Sequence, residues 1–223
     1  MRKQIENGLQ FYKIDKKFLA FLHNQDKKQN GFSCVPTMNY AATQKEKFMC
    51  GVVLKIGNID YFAPVSSYTK KQKDNVLLYD NENNVTSSIR LNFMFPAPKD
   101  VCKIFDFEEE VDNRYRAVVR KELQSANKQR EIIEKQANRT YYTVRQMIEK
   151  GNIPKWACNF PYLEELCKEW ETKNSEQVKN VGLETNKPVD YVSSISSICN
   201  YKKAMAQKPE GKAKIAADID VLE

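Results

Sequence analysis

The segment at residues 64–71, Pro-Val-Ser-Ser-Tyr-Thr-Lys-Lys, places several hydroxyl groups next to two ammonium groups. The hydroxyls belong to Ser66, Ser67, Tyr68 and Thr69, and the ammonium groups belong to Lys70 and Lys71. Ammonium groups neutralise a phosphodiester, and hydroxyls donate hydrogen bonds to its oxygens. Residues 64–71, here named the hydroxyl–lysine segment, are therefore a candidate phosphate site. A polar strand-to-loop transition explains the same composition more simply, because Ser and Lys are frequent where a chain enters solvent.

A phosphate site of this kind could support the cleavage of RNA without a metal ion. In that reaction the ribose 2′-OH attacks the neighbouring phosphorus, which leaves a cyclic phosphate and a free 5′-OH. The enzyme aligns the attacking hydroxyl, stabilises the charge on the phosphorane and helps the leaving oxygen gain a proton. Lysine and hydroxyl groups suit the second task. His23 is the only histidine, so mechanisms that need two histidines, or a zinc site built from histidines, are excluded.

The composition is that of a globular chain with a modest basic excess. Its 223 residues include 36 Lys and Arg against 29 Asp and Glu, a net charge of +7, which permits a polyanionic partner without requiring one. The six cysteines form no C-x-x-C pair and predict reduced, mostly buried thiols. No apolar run has the length of a membrane span, and the first residues lack an apolar signal. We therefore expect a cytoplasmic protein that needs no metal or other cofactor.

The first half of the chain alternates in the manner of β-strands. Gly57 and Asn58 tolerate positive φ and predict a tight hairpin between two of these strands. Residues 24–47 are polar and irregular, which predicts a long loop. The candidate strands are 9–14, 48–56, 59–65, 76–79 and 88–95, and a short amphipathic helix is predicted at 16–23.

The second half of the chain is predicted to be helical. Good helix formers fill 115–137, and a second helix is expected over 140–150. Asn159 is placed to cap a third helix, with Pro161 in its first turn. Large apolar residues become few from residue 171 onward. The pattern predicts an α+β domain over residues 1–170, with a strongly bent antiparallel sheet covered by helices, and a polar C-terminal extension over residues 171–223.

Five segments, taken together, resemble a known family of toxins. Their residue types and order, which span about residues 9–170, are similar to those of the ToxN/AbiQ family, the endoribonuclease toxins of type III toxin–antitoxin systems, and within it to the CptN branch. The segments are Phe11-Tyr12-Lys13-Ile14, Gly51-Val52-Val53-Leu54, Tyr61-Phe62-Ala63-Pro64-Val65-Ser66-Ser67, Asn92-Phe93-Met94-Phe95-Pro96 and Cys158-Asn159-Phe160-Pro161-Tyr162-Leu163-Glu164-Glu165.

The resemblance implies a fold, an activity and a partner. The fold is a bent sheet or partial barrel similar to that of the Kid/MazF toxins. The activity is sequence-preferring, metal-independent cleavage of RNA, such as mRNA, that leaves 2′,3′-cyclic phosphate ends. The partner is a small repeat RNA antitoxin, which the toxin processes and which then inhibits it in a closed protein–RNA assembly. Such systems act in abortive phage infection or in locus maintenance.

The resemblance also implies roles for individual residues. Pro64-Val65-Ser66-Ser67 matches the family's Pro-Leu-Thr-Ser segment, so Ser67 takes the position of the key catalytic serine and Ser66 that of the adjacent threonine. A lysine that follows in the family falls near Thr69 or Lys70, and we assign it to Lys70. The candidate catalytic residues are thus Ser67, Ser66 and Lys70. The candidate RNA contacts, on the loops and on the basic helical stretch 114–150, are Tyr40, Thr69, Lys71, Lys73, Arg116, Arg120 and Lys121.

Two other classes of function are compatible with the sequence. The first is a non-catalytic RNA-binding module that uses the same basic surface. The second is a DNA-binding regulator built on the helices, although the sequence contains no clear helix-turn-helix signature. Mapping the ends of RNA products separates the enzyme from the binding module, because a module that only binds RNA produces no cyclic phosphate.

Overall fold

The computed structural model describes residues 8–37, 39–40, 43–46 and 48–184, with side chains over 8–37 and 48–174. The chain divides into two units, Met1–Glu176 and Gln177–Glu223. The helices are α1 (Lys16–Asn30), α2 (Asn113–Lys128), α3 (Arg130–Glu149) and α4 (Phe160–Glu184). The strands are β1 (Gln10–Ile14), β2 (Asn39–Tyr40), β3 (Thr43–Glu46), β4 (Met49–Ile56), β5 (Ile59–Ser66), β6 (Asn75–Tyr79), β7 (Val85–Arg90), β8 (Phe95–Pro96) and β9 (Cys102–Ile104).

The main sheet is antiparallel and open, with the strand order β6-β7-β5-β4-β1-β9 and with β8 as a third partner of β5. The strands β2 and β3 form a separate two-stranded sheet. Strands in the first half and helices in the second half make this an α+β fold, which confirms the predicted class. The sheet does not close into a barrel, and the likeness to the Kid/MazF toxins stays a prediction.

The strand β5 changes partners along its length, and this bends the sheet. Tyr61 and Phe62 pair with β8, whereas Val65 and Ser66 pair with β7. The pairing of β5 with β4 shifts register between Gly51 and Leu54, and such bulges increase the local twist. As a result, the end of β5 lies against β7.

The hairpin between β4 and β5 is confirmed. Gly57 has a φ of 58°, a conformation that glycine adopts without steric cost. Ile56 pairs with Ile59 across the turn. The turn therefore sets the register of the two central strands.

The helix α1 is longer than predicted, because it continues from the expected end at residue 23 to Asn30. Asp15 caps its first turn by accepting hydrogen bonds from two backbone N–H groups, and Gly31, at a φ of 77°, ends it. Asp26 is buried and accepts a hydrogen bond of 2.7 Å from Nδ2 of Asn30. The added turns are polar in sequence, so hydrophobic periodicity alone does not reveal them. The predicted loop over 24–47 is also wrong in part, since it contains β2 and β3.

The helices α2 and α3 meet at Gln129, where the sequence predicted an uninterrupted helix. Nε2 of Gln129 donates to the carbonyl oxygen of Leu77, 2.9 Å away on β6. Oγ of Ser125 accepts a hydrogen bond of 2.9 Å from the backbone N–H of Tyr79. The break is therefore stabilised by tertiary bonds to β6, and no Pro or Gly marks it. The break that was predicted between residues 137 and 140 is absent, because α3 is continuous there.

The other predicted elements are confirmed in type, with two corrected boundaries. The candidate strand 88–95 is divided, because β7 ends at Arg90 and a 3-10 turn over Leu91–Phe93 precedes β8. Asn159 caps α4 through a hydrogen bond of 3.4 Å from the backbone N–H of Tyr162. The helix α4 continues past residue 170 to Glu184, and the division into a domain over 1–170 and an extension over 171–223 stays a prediction.

A buried network joins β5 to α3 and α4. The hydroxyls of Tyr61 and Tyr141 both donate to Oε1 of Glu164, at 2.6 and 2.9 Å. The ring of Phe160 stacks on that of Tyr141 with 5.7 Å between their centres. Burial raises the pKa of Tyr61 well above its ordinary value, so its hydroxyl remains a donor. The strand that ends at the hydroxyl–lysine segment is thus anchored by the two helices.

Candidate active site

The hydroxyl–lysine segment begins inside the sheet and emerges into solvent at Ser67. Pro64 and Val65 are buried in β5, Ser66 is half-buried as its last residue, and Ser67 is exposed. Ser66 pairs with Ser88 of β7. The end of an ordered strand therefore presents the two serines at a defined position.

Two hydrogen bonds turn the chain directly after these serines. Oγ of Ser66 accepts from the backbone N–H of Tyr68 at 3.3 Å, a local bond typical of serine turns. Oγ of Ser88, which is buried, donates to the carbonyl oxygen of Tyr68 at 2.6 Å. Because both bonds fix Tyr68, Ser67 between Ser66 and Tyr68 has little freedom to reorient its backbone.

The lysine half of the segment is closed by Asn75, the buried first residue of β6. Nδ2 of Asn75 donates to the carbonyl oxygen of Lys70 at 2.9 Å, and its Oδ1 accepts from the backbone N–H of Gln72 at 2.8 Å. Nζ of Lys71 donates to the carbonyl oxygen of Asn75 at 2.8 Å. Lys70 and Lys73 are exposed, so their charges are available to an anion.

The helix α3 holds the same loop from the other side. Gln136 and Arg139 both donate to the carbonyl oxygen of Lys73, at 2.6 and 2.9 Å. Oγ1 of Thr140 donates to Oδ1 of Asp74 at 3.2 Å. Arg139 is exposed, so the helix adds a positive charge beside Lys73.

A cavity of about 700 Å³ opens next to the end of β5. Pro64, Val65 and Ser66 form one wall, and Arg90 and Phe93 contribute a second. Other walls come from residues 33–36 and 155–156 and from the loop residues Gln72 and Asp74. The cavity therefore adjoins the candidate catalytic Ser66 and mixes apolar surfaces with charged and amide groups.

Arg90 is the half-buried cation of this cavity. Its guanidinium carbon lies 5.0 Å from the ring centre of Tyr68 and 4.8 Å from that of Phe93, within the range of cation–π attraction. Burial lowers the pKa of Arg90 from its ordinary value, yet arginine keeps its charge at any physiological pH. The two aromatic contacts hold a positive charge at the cavity.

Within the part of the chain whose side chains are described, no group of three or more His, Cys, Asp or Glu side chains could hold a metal ion. His23 lies inside α1, where its Nδ1 is 3.3 Å from the carbonyl oxygen of Val35. Across residues 8–37, 39–40, 43–46 and 48–184, no helix has both the length and the apolarity to cross a membrane. The cysteines at 34, 50, 102, 158 and 167 are free thiols, as predicted, and Cys199 lies outside the described residues.

Eight of the ten predicted site residues divide into two groups. The hydroxyl–lysine segment and the two residues that follow it bring together Ser66, Ser67, Thr69, Lys70, Lys71 and Lys73. Arg116 and Arg120 on α2 instead pair with Glu108, at 3.6 and 2.6 Å. Glu108 follows β9, whereas the loop that contains Lys70 and Lys73 precedes β6. The strands β9 and β6 are the two edge strands at opposite ends of the sheet order. The described contacts therefore do not join the α2 arginines to the candidate catalytic turn.

Two predicted RNA contacts lie elsewhere. Lys121 borders a smaller cavity of about 150 Å³ beside the exposed turn that follows β6. Tyr40 belongs to β2, but its side chain lies outside the described residues. The roles of all the named site residues stay predictions.

The sequence did not single out several residues that the fold brings to the site. Arg90 falls within a predicted strand, between the apolar Ile89 and Leu91, and this alternation was the available signal that it faces away from the core. Arg139 falls in the predicted break between two helices, which the fold does not contain. Trp156 is 40% exposed and lines the cavity together with Lys155. These residues lie far from Ser67 along the chain, so sequence spacing does not connect them to it.

Comparison with known proteins shows that the chain is similar to bacterial toxins. The family model described as toxin ToxN, type III toxin–antitoxin system, matches residues 10–168. Two similar proteins are the endoribonucleases ToxN of Bacillus thuringiensis subsp. kurstaki and of Pectobacterium atrosepticum. The first is 25% identical over 179 residues, which cover 76% of this chain and 88% of the relative. The second is 26% identical over 181 residues, which cover 76% of this chain and 99% of the relative.

A similar solved structure belongs to a type III toxin–antitoxin system in which a non-coding RNA pseudoknot selectively inhibits the toxin. Its sequence is 25% identical, its TM-score is 0.62, and the match covers 74% of this chain and 99% of that chain. The similarity extends over nearly the whole length of that toxin. Residues 10–168, which the family model matches, contain the main sheet and the hydroxyl–lysine segment.

Proposed function

Because the chain belongs to the ToxN family of toxins from type III toxin–antitoxin systems, we propose that it is an endoribonuclease toxin inhibited by a small RNA antitoxin. The names of both relatives support the activity, and the inhibited toxin of the similar structure supports the partner. Its substrates are cellular RNAs such as mRNA, in the cytoplasm. The alternative is an RNA-binding module without catalytic activity that uses the same surface.

The observation that carries the proposal is the placement of the hydroxyl–lysine segment. An ordered strand ends at Ser66, which lines a cavity, and Ser67 follows it directly in the chain. Asn75 fixes the backbone of Lys70 in the turn that comes next. A rigid support of this kind is what a site needs to orient a scissile phosphodiester.

In the proposed reaction the ribose 2′-oxygen attacks the adjacent phosphorus and the bond from phosphorus to the 5′-oxygen breaks. The 2′-OH loses one proton and the 5′-oxygen gains one, so the products are a 2′,3′-cyclic phosphate and a 5′-OH. The hydroxyls of Ser67 and Ser66 donate hydrogen bonds to the phosphate oxygens, and Lys70 stabilises the additional negative charge. No step of this scheme uses a metal ion.

The antitoxin is proposed to be a repeat RNA that the toxin cuts into units and then retains in a closed protein–RNA assembly. Exposed cations around the site suit binding of an RNA backbone, namely Lys70, Lys73 and Arg139. The ion pairs of Arg116 and Arg120 with Glu108 join an exposed carboxylate to one half-buried and one exposed guanidinium, and pairs near the surface contribute little stability. Phosphates could therefore replace Glu108 at low cost. Inhibition by such an RNA would serve abortive phage infection or locus maintenance.

The decisive experiment is RNA cleavage by the purified full-length protein, in the presence of EDTA, with analysis of both product ends. We expect 2′,3′-cyclic phosphate and 5′-OH ends from the wild-type protein. We expect Ser67→Ala to cut at least 100-fold more slowly, since loss of one donor to a charged transition state costs about that much. Thr172→Ala, which removes an exposed hydroxyl from α4, is the matched control and should cut at the wild-type rate.

Two results would contradict the proposal. RNA that is bound but never cut would favour the RNA-binding module. Equal rates for Ser67→Ala and the wild-type protein would remove Ser67 from the site, even if cleavage occurred. In cells, expression should arrest growth, and co-expression of a repeat RNA encoded next to the gene should restore it.

A further inference from the structure

The cavity beside Ser66 is larger than a phosphate group bound at the hydroxyl–lysine segment would fill. Its volume is about 700 Å³, which is in the range of pockets that bind drug-sized molecules. A phosphodiester bound at Ser66 and Ser67 carries nucleosides on both sides. One of their bases would therefore lie close to this opening.

The walls of the cavity carry the kinds of side chain on which unpaired bases stack. Phe93 and the half-exposed ring of Trp156 provide apolar surfaces, and Pro64 and Val65 extend them. Single-stranded RNA is recognised by stacking of splayed-out bases on aromatic rings and on arginine planes, together with hydrogen bonds to the base edges.

Arg90 and Asp74 supply the polar part of the same cavity. Nε of Arg90 is buried and has no hydrogen-bond partner among the described residues. Oδ1 of the Asp74 carboxylate accepts a hydrogen bond of 3.2 Å from Oγ1 of Thr140. A guanidinium donates hydrogen bonds and a carboxylate accepts them. The Watson–Crick edge of every unpaired nucleobase carries both a donor and an acceptor. The Arg90 guanidinium can therefore donate to such an edge while the Asp74 carboxylate accepts from it.

We propose that the cavity binds an unpaired nucleobase of the RNA next to the bond that is cut, and that Arg90 and Asp74 are specificity-determining residues for that base. The inference rests on the proposed function, because the position of the cut bond comes from Ser66 and Ser67. The base pocket would let the chain select its cleavage site partly through one base. That base would lie in the cavity between the end of β5 and the rings of Phe93 and Trp156. A phosphate bound by Arg90 is the competing arrangement.

A fluorescence experiment tests base binding without relying on cleavage. Single-stranded RNAs that carry one 2-aminopurine at successive positions are titrated with the Ser67→Ala protein, which holds the RNA uncut. We expect strong quenching at one position, because the base stacks on aromatic and guanidinium groups. Adding Arg90→Gln or Trp156→Ala should abolish that quenching. Adding Lys28→Gln, which removes one exposed charge from α1, should leave it unchanged.

Kinetics with the otherwise wild-type protein supply the second measurement. On RNA whose flanking nucleotide is abasic, kcat/KM should fall roughly ten-fold relative to intact RNA, which corresponds to the loss of one stacked base. Arg90→Gln should show a similar loss on intact RNA and no further loss on the abasic RNA. Trp156→Ala tests the same wall through an exposed ring, so it remains informative if Arg90→Gln does not fold.

Three outcomes would overturn the base pocket. The first is equal quenching at every position of the RNA, and the second is quenching that survives both substitutions. The third is a loss for Arg90→Gln that is equally large on intact and abasic RNA, which would place its guanidinium at a phosphate. A protein that binds and quenches as expected but cuts no RNA would instead refute the proposed function and leave the pocket standing.

Discussion

Nδ2 of Asn75 donates a hydrogen bond to the carbonyl oxygen of Lys70 over 2.9 Å. Asn75 is fully buried at the start of β6, and Lys70 is exposed in the turn that follows β5. The position of the candidate catalytic lysine therefore depends on a side chain that is itself buried. The same amide accepts from the backbone N–H of Gln72 at 2.8 Å, so it closes the whole loop.

Replacing Asn75 with Ala is expected to loosen this loop and to slow cleavage. The substitution leaves a carbonyl and an N–H group without their partners, which costs about 1–3 kcal/mol of the free energy of unfolding. It should also lower kcat/KM roughly ten-fold, because a displaced lysine aligns poorly with the phosphate. Denaturant unfolding and RNA cleavage measure the two effects. Asn84→Ala, in the exposed turn after β6, is the control, and an equal effect of both substitutions would contradict the role of Asn75.

Lys70 and Lys71 should differ in the kinetic constant that they change. The ammonium group of Lys71 donates to the carbonyl oxygen of Asn75 at 2.8 Å, whereas the ammonium group of Lys70 makes no hydrogen bond or ion pair with any residue whose side chain is described. We expect Lys70→Met to lower kcat, because its charge acts on the transition state. We expect Lys71→Met to raise KM with kcat little changed, and to reduce the salt slope of binding by about one. Steady-state kinetics at several salt concentrations measure both, and an unchanged kcat for Lys70→Met would refute its catalytic assignment.

Glu122 makes the stability of the fold depend on pH. Burial on α2 raises the pKa of its carboxyl, an effect that the nearby hydroxyls of Thr86 and Ser87 only partly offset. A carboxyl whose pKa is higher in the folded than in the unfolded state stabilises the folded state when it is protonated. This stabilisation is complete at pH values below the unfolded-state pKa, and it is lost as the pH rises through the folded-state pKa. Glu122→Gln should therefore unfold at higher denaturant concentration than the wild-type protein at pH 7.

The difference between Glu122→Gln and the wild-type protein should shrink as the pH falls toward about 4, near the ordinary pKa of glutamate. Denaturant unfolding followed by circular dichroism at both values provides the measurement. Glu134→Gln, at an exposed position of α3, is the control and should show little difference at either pH. If the wild-type protein were instead more stable than Glu122→Gln at pH 7, the prediction would be wrong, because its neighbours would then stabilise the buried carboxylate of Glu122.

Gly51 has no room for a side chain. A Cβ placed there would lie 2.4 Å from the ring of Phe62 and 2.9 Å from that of Tyr12. The two rings pack edge to face with 5.2 Å between their centres, so neither can move without disturbing the other. Gly51→Ala is expected to lower the free energy of unfolding by about 1–3 kcal/mol. Thermal and denaturant unfolding test this. Gly151→Ala is the comparison, because a Cβ at Gly151 meets no other atom within 4 Å and its cost comes only from the left-handed φ of 78°.

Local patterns in the sequence were sufficient for most of the elements and for the hydroxyl–lysine turn. The alternation of apolar residues, the Gly57-Asn58 hairpin and the Asn159 cap each act over a few neighbouring residues, and each is confirmed. The break at Gln129 was not predictable in this way, because its partner is the carbonyl oxygen of Leu77 on β6. The final turns of α1 are polar and carry little hydrophobic pattern, which is why the sequence predicted a loop.

For the candidate site, the sequence by itself determined its chemistry, since hydroxyls and ammonium groups are adjacent in the chain at residues 66–71. The tertiary structure decided what surrounds them. Ser88, Asn75 and Arg139 approach the turn only because β7, β6 and α3 pack against the end of β5. The same packing creates the cavity that contains Arg90. Contacts between residues distant in the chain depend on the summed burial of the core, and no local spacing encodes them.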